Sequence, residues 1–232
     1  MNKIKDSVKR EIIVGAPLKQ VWDALTKPEH LKRWYTKQAE IDFRVGGKGY
    51  MNHGWGSTSE GIFTEIDPMK HFVLQSLDGD FTTITTLKEV ANGIQVSIEY
   101  QASFLSAMSQ NQIENMLFGT GQFLKNLKSV YETNTDIRPD LWKAWLGITH
   151  TTNTEGKGTR VLQVKKDSAA AVAGLKPEDI IEELDGEEIT GYESFEIAIN
   201  KKDVNQHVTL TINRKNEKLT VNCVVESYPV PY

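Results

Sequence analysis

Cysteine is almost absent from the chain, because Cys223 is the single cysteine among 232 residues. No disulfide can form within the chain, which excludes a small domain held together by disulfides. A free thiol also suits a reducing compartment.

Long apolar stretches are missing as well. The first ten residues are basic, as in a signal peptide, but no apolar run of about 7–15 residues follows them. No stretch approaches the roughly 20 apolar residues that span a bilayer. We therefore expect a cytoplasmic protein that does not enter membranes.

An excess of one charge is also lacking. The net charge is −4, and acidic and basic residues are mixed along the chain. This mixture argues against nucleic-acid binding, which requires a basic face. A hydrophobic content of 39% is ordinary for globular proteins, and the length suits two domains of about 100–150 residues.

Motifs for catalysis and metal binding are not found. The chain has no Gly-x-Ser-x-Gly motif, no phosphate-binding glycine loop and no convincing dinucleotide fingerprint. None of its five histidines has histidine or cysteine partners at metal-ligand spacing. His53, beside Gly54 and Trp55, could donate a proton into a cavity, although a structural role is favoured. We expect a non-enzymatic protein without a metal or cofactor.

The first half of the chain alternates between helical and strand patterns. Residues 8–14 predict a strand and residues 16–25 a helix that Pro28 separates from a second, short helix. Residues 39–104 predict a meander of antiparallel strands, with a hairpin at Asn92-Gly93. Residues 106–132 predict a long helix with one apolar face and with Asn126 on its polar side.

This order of elements resembles the START-like, or Bet v 1-like, superfamily over residues 8–132. Residues 21–34, VWDALTKPEHLKRW, resemble the AHSA1 group, which is named for an activator of the Hsp90 ATPase. The resemblance implies an α+β helix-grip fold, in which an antiparallel sheet surrounds a long C-terminal helix and leaves an apolar cavity. The candidate cavity-lining residues, for each of which a filled core position is favoured over a ligand contact, are Trp34, Tyr35, Met51, Trp55, Phe63, Met116, Phe123 and Leu124.

A polar, proline-containing stretch at residues 134–140 marks a domain boundary. We expect a first domain over residues 1–134, a linker over 135–143 and a second domain over 144–232. In the second domain, residues 159–164 and 180–184 predict strands and residues 193–200 a helix. Residues 167–175 predict a short helix that Ser168 or Asp167 caps and Gly174 ends. A closing hairpin is predicted across Lys215-Asn216.

The residues Ser168-Ala169-Ala170, the run from Ala173 to Ile181 and Leu184-Asp185-Gly186 resemble the PDZ domains of HtrA-type proteases. This resemblance implies a β-sandwich, or partly open barrel, with two helices. In that family a Leu-Gly-Ile loop binds the terminal carboxylate of a peptide, and the strand after it pairs with the peptide. The catalytic serine motif of the proteases has no counterpart here. The matching positions are Trp145, Leu146, Gly147 and Ile148 for the loop, Thr149 and His150 for the strand, and Phe195 and Ile199 for the groove helix.

The sequence therefore favours a binding or adaptor protein that captures peptide C-termini by β-augmentation and takes a small apolar ligand or a protein partner in its first domain. The alternatives are an enzyme with a cyclase-like or hydrolase-like cavity, and a chaperone-associated protein. The final residues, Val230, Pro231 and Tyr232, could also enter a groove of this chain or of a second copy, which would allow self-association.

Overall fold

The computed structural model describes residues 6–230 and shows an α+β protein with two compact units. Of the described residues, the first unit comprises residues 6–108 together with Met116–Pro139. The second comprises Ser109–Asn115 together with residues 140–230. Among the described residues, no helix combines the length and the apolar character needed to cross a membrane.

A seven-stranded antiparallel sheet forms the centre of the first unit, in the order β1-β7-β6-β5-β4-β3-β2. A 3-10 turn at Leu105–Ala107 follows the sheet, so the long helix predicted from residue 106 begins only at Gln110. The elements are β1 Asp6–Val14, α1 Leu18–Thr26, α2 Pro28–Trp34, β2 Gln38–Ile41, β3 Lys48–Gly54, β4 Ser57–Asp67, β5 His71–Gln75, β6 Phe81–Val90, β7 Gly93–Ala102 and α3 Gln110–Thr133.

The core of the first unit joins the apolar faces of α1, α2 and α3 to the sheet. Val21 and Leu25 are buried on α1 at helical spacing, and Leu124 and Leu127 are buried on α3. Pro28 begins α2 as predicted, because a proline in the first turn loses no helical hydrogen bond. The indole of Trp34 at the end of α2 donates to the Ala24 carbonyl at 2.9 Å, so the polar atom of this buried ring is satisfied.

The predicted hairpin between β6 and β7 is present, but its turn is shifted by one residue. Val90 pairs with Gly93, which leaves Ala91 and Asn92 as the two turn residues. Gly93 is therefore the first residue of β7. The Asn-Gly pair indicated the hairpin correctly and misplaced its centre.

The placement of Asn126 on the polar side of the long helix was wrong, because Asn126 is fully buried. Its amide nitrogen donates to the Trp34 carbonyl at 2.6 Å and to the Asp136 carboxylate at 3.0 Å. Arg138 is also buried and donates to the Asp136 carboxylate and to the carbonyl of Thr36. The polar residues that follow α3 are thus held in the first unit by hydrogen bonds and an ion pair.

The second unit has a sheet in the order β14-β13-β11-β10-β9, with β12 paired to β11, and a separate pair of β8 with β15. Strand β9 therefore forms one edge of its sheet. The elements are β8 Ala144–Trp145, β9 Ile148–Thr152, β10 Thr159–Val164, α4 Ala169–Val172, β11 Ile180–Leu184, β12 Glu187–Glu188, α5 Tyr192–Asn200, β13 His207–Arg214, β14 Glu217–Val224 and β15 Glu226–Ser227.

Local signals position the elements of the second unit. The Ser168 hydroxyl accepts from the Ala171 N–H and caps α4, so of the two predicted cap residues it is Ser168, not Asp167, that serves. Lys215 and Asn216 both have positive φ, which suits the twist of the two-residue hairpin between β13 and β14. Ile181, Leu184, Leu210 and Ile212 are fully buried beneath α5 and form the centre of this core.

Candidate functional site

A cavity of about 270 Å³ lies in the second unit between β9 and α5. All of the predicted peptide-binding residues except Gly147 line this cavity. The lining residues that were predicted are Trp145, Leu146, Ile148, Thr149, His150, Phe195 and Ile199. The sequence analysis missed six further lining residues, which are Asn111, Asn115, Trp142, Tyr192, Glu196 and Tyr228.

A tight turn at Leu146 and Gly147 precedes β9, and Leu146 and Ile148 on either side of Gly147 line the cavity. The carbonyls of Leu146 and Gly147 accept hydrogen bonds from the N–H groups of Ala170 and Lys165. Within residues 6–230, neither the Leu146 N–H nor the Gly147 N–H has a hydrogen-bond partner. Adjacent N–H groups on a turn can converge on one anion, as in backbone nests.

Gly147 is required at the centre of this turn. Its φ is +83°, and an added Cβ would lie 2.2 Å from the Cβ of Ser168, where real Cβ atoms are not found. A side chain at position 147 would therefore strain the backbone and displace the cap of α4. The sequence resemblance identified this position, and the geometry gives the physical reason for it.

The exposed edge of β9 continues from this turn. The Lys165 N–H donates to the Gly147 carbonyl at 2.8 Å, so in the antiparallel pair of Ile148 with Val164 the backbone groups of Ile148 point away from β10. Alternate residues along an antiparallel strand share this direction. The row Ile148, His150 and Thr152 thus presents its backbone polar groups at the sheet edge, where an added strand would pair.

Apolar and aromatic side chains surround the cavity beside the turn. Leu146, Phe195 and Ile199 are buried, and the ring of Trp145 meets that of Tyr228 edge to face at 5.8 Å. The Lys165 ammonium lies 4.9 Å from the centre of the Trp145 ring, within cation–π range. The site therefore combines apolar side chains with N–H donors and a nearby positive charge, and its lining also includes polar side chains such as Asn111, Asn115 and Glu196.

A histidine–carboxylate pair connects the two walls of the cavity. His150 is buried on β9, and its Nε2 lies 2.9 Å from the Glu196 carboxylate on α5. Its Nδ1 lies 2.7 Å from the Thr159 hydroxyl. The ring also stacks on Tyr192 with centroids 4.5 Å apart. Tyr192 and Glu196 follow the helical spacing of Phe195 and Ile199, so the period of α5 could have identified them.

Residues 109–115, which group with the second unit, contact the far end of the β9 edge. Asn111 donates to the His150 carbonyl at 2.5 Å, and Asn115 donates to the Tyr192 hydroxyl at 3.0 Å. The Glu114 carboxylate accepts from the Thr152 N–H at 3.1 Å and from the Thr151 hydroxyl at 2.7 Å. No local pattern in the sequence indicates these contacts, which join residues 37 to 77 positions apart.

The predicted cavity residues of the first unit divide between core and half-buried positions. Trp34, Phe63 and Leu124 are buried in the main core, while Tyr35, Met51 and Phe123 are half-buried and pack against it. Trp55 and Met116 are also half-buried. Their role as ligand contacts stays a prediction.

Tyr35 is at the centre of an aromatic group in the first unit. Its ring lies 4.8 Å from Trp34, 5.0 Å from Phe123 and 4.5 Å from His53. Burial lowers the pKa of His53 to about 4 against the opposing effect of the Tyr35 backbone, so the imidazole is neutral at pH 7. Its Nε2 hydrogen-bonds to Ser59 at 2.8 Å. A neutral, buried histidine is more consistent with a structural position than with a proton donor.

Two further predictions concern metals and the C-terminal tail. Across residues 6–230, no three histidine, cysteine or acidic side chains are grouped so that they could hold a metal ion. The tail up to Tyr228 pairs with β8, and the Tyr228 N–H donates to the Lys143 carbonyl. Pro231 and Tyr232, on which the predicted self-association depends, lie outside the described residues.

Comparison with protein families gives two matches. The model of the Activator of Hsp90 ATPase homolog 1-like protein matches residues 15–132, slightly more than half of the chain. The model of the PDZ domain matches residues 144–225. Domains of these two kinds support a binding or adaptor role in general. No curated protein matches the chain.

Solved structures agree with the first match. A protein from Staphylococcus saprophyticus is 14% identical with a TM-score of 0.52, and the alignment covers 57% of this chain and 96% of that protein. The Aha1 dimer from Colwellia psychrerythraea is 19% identical with a TM-score of 0.50, covering 56% of this chain and 98% of that one. At these identities the likeness shows the fold of the first unit alone.

Proposed function

The chain belongs to the Activator of Hsp90 ATPase homolog 1-like family and carries a PDZ domain after that region, and we propose that it is a non-catalytic adaptor that captures the C-termini of other proteins. The observation that supports this most strongly is the turn at Leu146 and Gly147. Its N–H groups have no partner among the described residues, and Leu146 lines a cavity of about 270 Å³ with both apolar and polar walls.

The ligand of this site is a peptide whose C-terminal residue has a free carboxylate and a bulky apolar side chain. The carboxylate oxygens accept from the N–H groups of Leu146 and Gly147, and Lys165 adds a favourable charge nearby. The last side chain of the ligand enters the space among Trp145, Phe195 and Ile199. The N–H of its last residue pairs with the exposed carbonyl of Ile148, which is β-augmentation.

The first unit supplies the second half of the adaptor. We place a small apolar ligand or a protein partner at the aromatic group around Tyr35, where Trp55 and Phe123 are half-buried. Met116 on α3 is also half-buried and is a further candidate contact. A lone, buried thiol at Cys223 accords with a reducing compartment, so the cytoplasm is part of the proposal.

The test compares labelled peptides that end in leucine, valine, phenylalanine or aspartate, each as the free acid and as the amide, by fluorescence anisotropy with the full chain. We expect micromolar binding of the apolar free acids, and at least tenfold weaker binding of the amides and of the aspartate peptide. Equal affinity for acid and amide, or no binding of any peptide, would overturn the proposal.

A pair of variants locates the binding. Ile148→Glu places a carboxylate at the cavity that the ligand's last apolar side chain would enter, and we expect it to abolish binding. Val172→Glu makes the same change of charge on α4 at a side chain that is 85% exposed, and it should bind as the wild type does. Circular dichroism checks that both variants are folded.

A further inference from the structure

Side chains of this chain already occupy part of the β9 edge at which a peptide would pair. Asn111 donates to the carbonyl of His150, and Gln110 donates to the carbonyl of Thr152 at 3.3 Å. The Glu114 carboxylate accepts from the N–H of Thr152. A strand added to this edge would use these same carbonyl and N–H groups.

The occupied and the open positions lie in one row. Ile148, His150 and Thr152 present their backbone groups in the same direction, and a peptide that starts at the turn would meet them in that order. No hydrogen bond joins Ile148 to residues 109–115 within the described part of the chain. At the end of the groove next to Gly147, the backbone groups of Ile148 are therefore open to a peptide. At the end next to Thr152, which we call the taken end, side chains of residues 110–114 already bind the backbone groups.

The contacts at the taken end are strong ones. Burial raises the pKa of Glu114, but hydrogen bonds from Thr152 and Thr151 lower it by more, so the carboxyl is ionised at neutral pH. Hydrogen bonds to an ionised acceptor are stronger than hydrogen bonds between neutral groups. A peptide would have to replace these bonds with neutral amide contacts.

We propose that Asn111 and Glu114 hold the positions that the third and later residues of a peptide would take, so that this groove recognises only the last two residues of its ligand. This inference rests on the proposed function. If it is correct, the affinity of the groove for a peptide does not depend on the length of the peptide beyond two residues. The terminal residue pairs with Ile148 and fills the cavity, and residues further from the terminus leave the sheet edge without adding affinity.

The experiment measures the affinities of an acetylated dipeptide, a tripeptide and a hexapeptide that share the same apolar C-terminal residue, using calorimetry with the full chain. The variants are the wild type, the double variant Asn111→Ala with Glu114→Ala, and Gln112→Ala as the control. The Gln112 side chain hydrogen-bonds to Ser109 and lies in the same helical turn.

We expect the three peptides to bind the wild type and Gln112→Ala within about twofold of one another. The double variant should bind the hexapeptide about tenfold more tightly than the wild type does, with the dipeptide unchanged. A hexapeptide that binds the wild type tenfold or more tightly than the dipeptide does would overturn the inference, and this comparison needs no variant. The inference is equally overturned if the ratio of hexapeptide affinity to dipeptide affinity is the same for the double variant as for the wild type.

The two proposals fail in different ways. Binding that increases steadily with peptide length retains carboxylate capture and removes the role of Asn111 and Glu114. Absence of binding for every peptide with every variant removes carboxylate capture itself, and this inference with it.

Discussion

The Glu196 carboxylate lies 2.9 Å from the Nε2 of His150, and this contact joins the helix and the strand that form the two walls of the groove. The imidazole is buried and has Thr159 as its other partner. Loss of Glu196 leaves Nε2 without a partner inside the protein, which costs about 1–3 kcal/mol. This pair therefore holds the two walls together, along with the stacking of His150 on Tyr192 and the hydrogen bond from the Tyr192 N–H to the Thr152 hydroxyl.

Glu196→Ala should lower the free energy of unfolding by about 1–3 kcal/mol and weaken peptide binding, because α5 loses one of its polar links to β9. Glu196→Gln retains an acceptor oxygen and should lose less than half as much. Urea denaturation and peptide titration measure the two effects. Equal stability of the alanine variant and the wild type would contradict the role of this pair.

A side chain at position 147 should be more damaging than one at another glycine of the same conformation. Gly147→Ala combines left-handed strain with a collision at Ser168, whereas Gly174 has φ +78° and nothing within 4 Å of an added Cβ. We expect Gly174→Ala to lose about 1–2 kcal/mol of stability and Gly147→Ala clearly more. Chemical denaturation of both variants measures the difference, and similar losses would show that Ser168 yields easily.

The thiol of Cys223 should resist modification in the native chain. It is buried in the core of the second unit, and burial raises its pKa to about 11. Since the thiolate is the reactive form, a colorimetric thiol reagent at pH 8 should react much more slowly with the folded chain than with the chain in guanidinium chloride. Equal rates in the two conditions would mean that this strand is exposed in solution.

His53 should make the first unit less stable as the pH falls. Its folded pKa of about 4 lies below the ordinary value of 6.5, so the unfolded chain takes up the proton first. The contribution of His53 is complete above pH 6.5 and is lost as the pH falls to 4, by about 3 kcal/mol in total.

His53→Phe removes this titration and retains a ring beside Tyr35. We expect the free energy of unfolding of this variant to fall less between pH 6.5 and 4 than that of the wild type. An NMR titration of His53 checks the pKa directly. A midpoint near 6.5 would contradict its burial.

Local sequence signals account for much of the fold and for one side of the candidate site. Pro28, the cap at Ser168 and the turn at Lys215-Asn216 each act through neighbouring backbone groups, so their effects could be predicted. The turn at Gly147 was located through a family resemblance, because its requirement for glycine depends on Ser168, 21 residues away.

Polar residues with distant partners could not be predicted in this way. Asparagine on the polar side of a helix is ordinarily exposed. Asn126 is buried instead, because its amide donates a hydrogen bond to the carbonyl of Trp34, 92 residues earlier. Asn111 and Glu114 likewise belong to the polar side of the α3 pattern, and only the folded chain brings them to β9. Helical periodicity indicates which face of a helix packs against the core. It gives no information on which distant residue a polar side chain will contact.

The most direct test of carboxylate capture is an amide-detected NMR titration of the full chain with a short apolar peptide and with its C-terminal amide. With the free acid we predict large shifts at the backbone amides of Leu146, Gly147 and Ile148, and with the amide only small ones. Shifts that are the same for both peptides, or that are confined to residues outside the cavity between β9 and α5, would contradict the account.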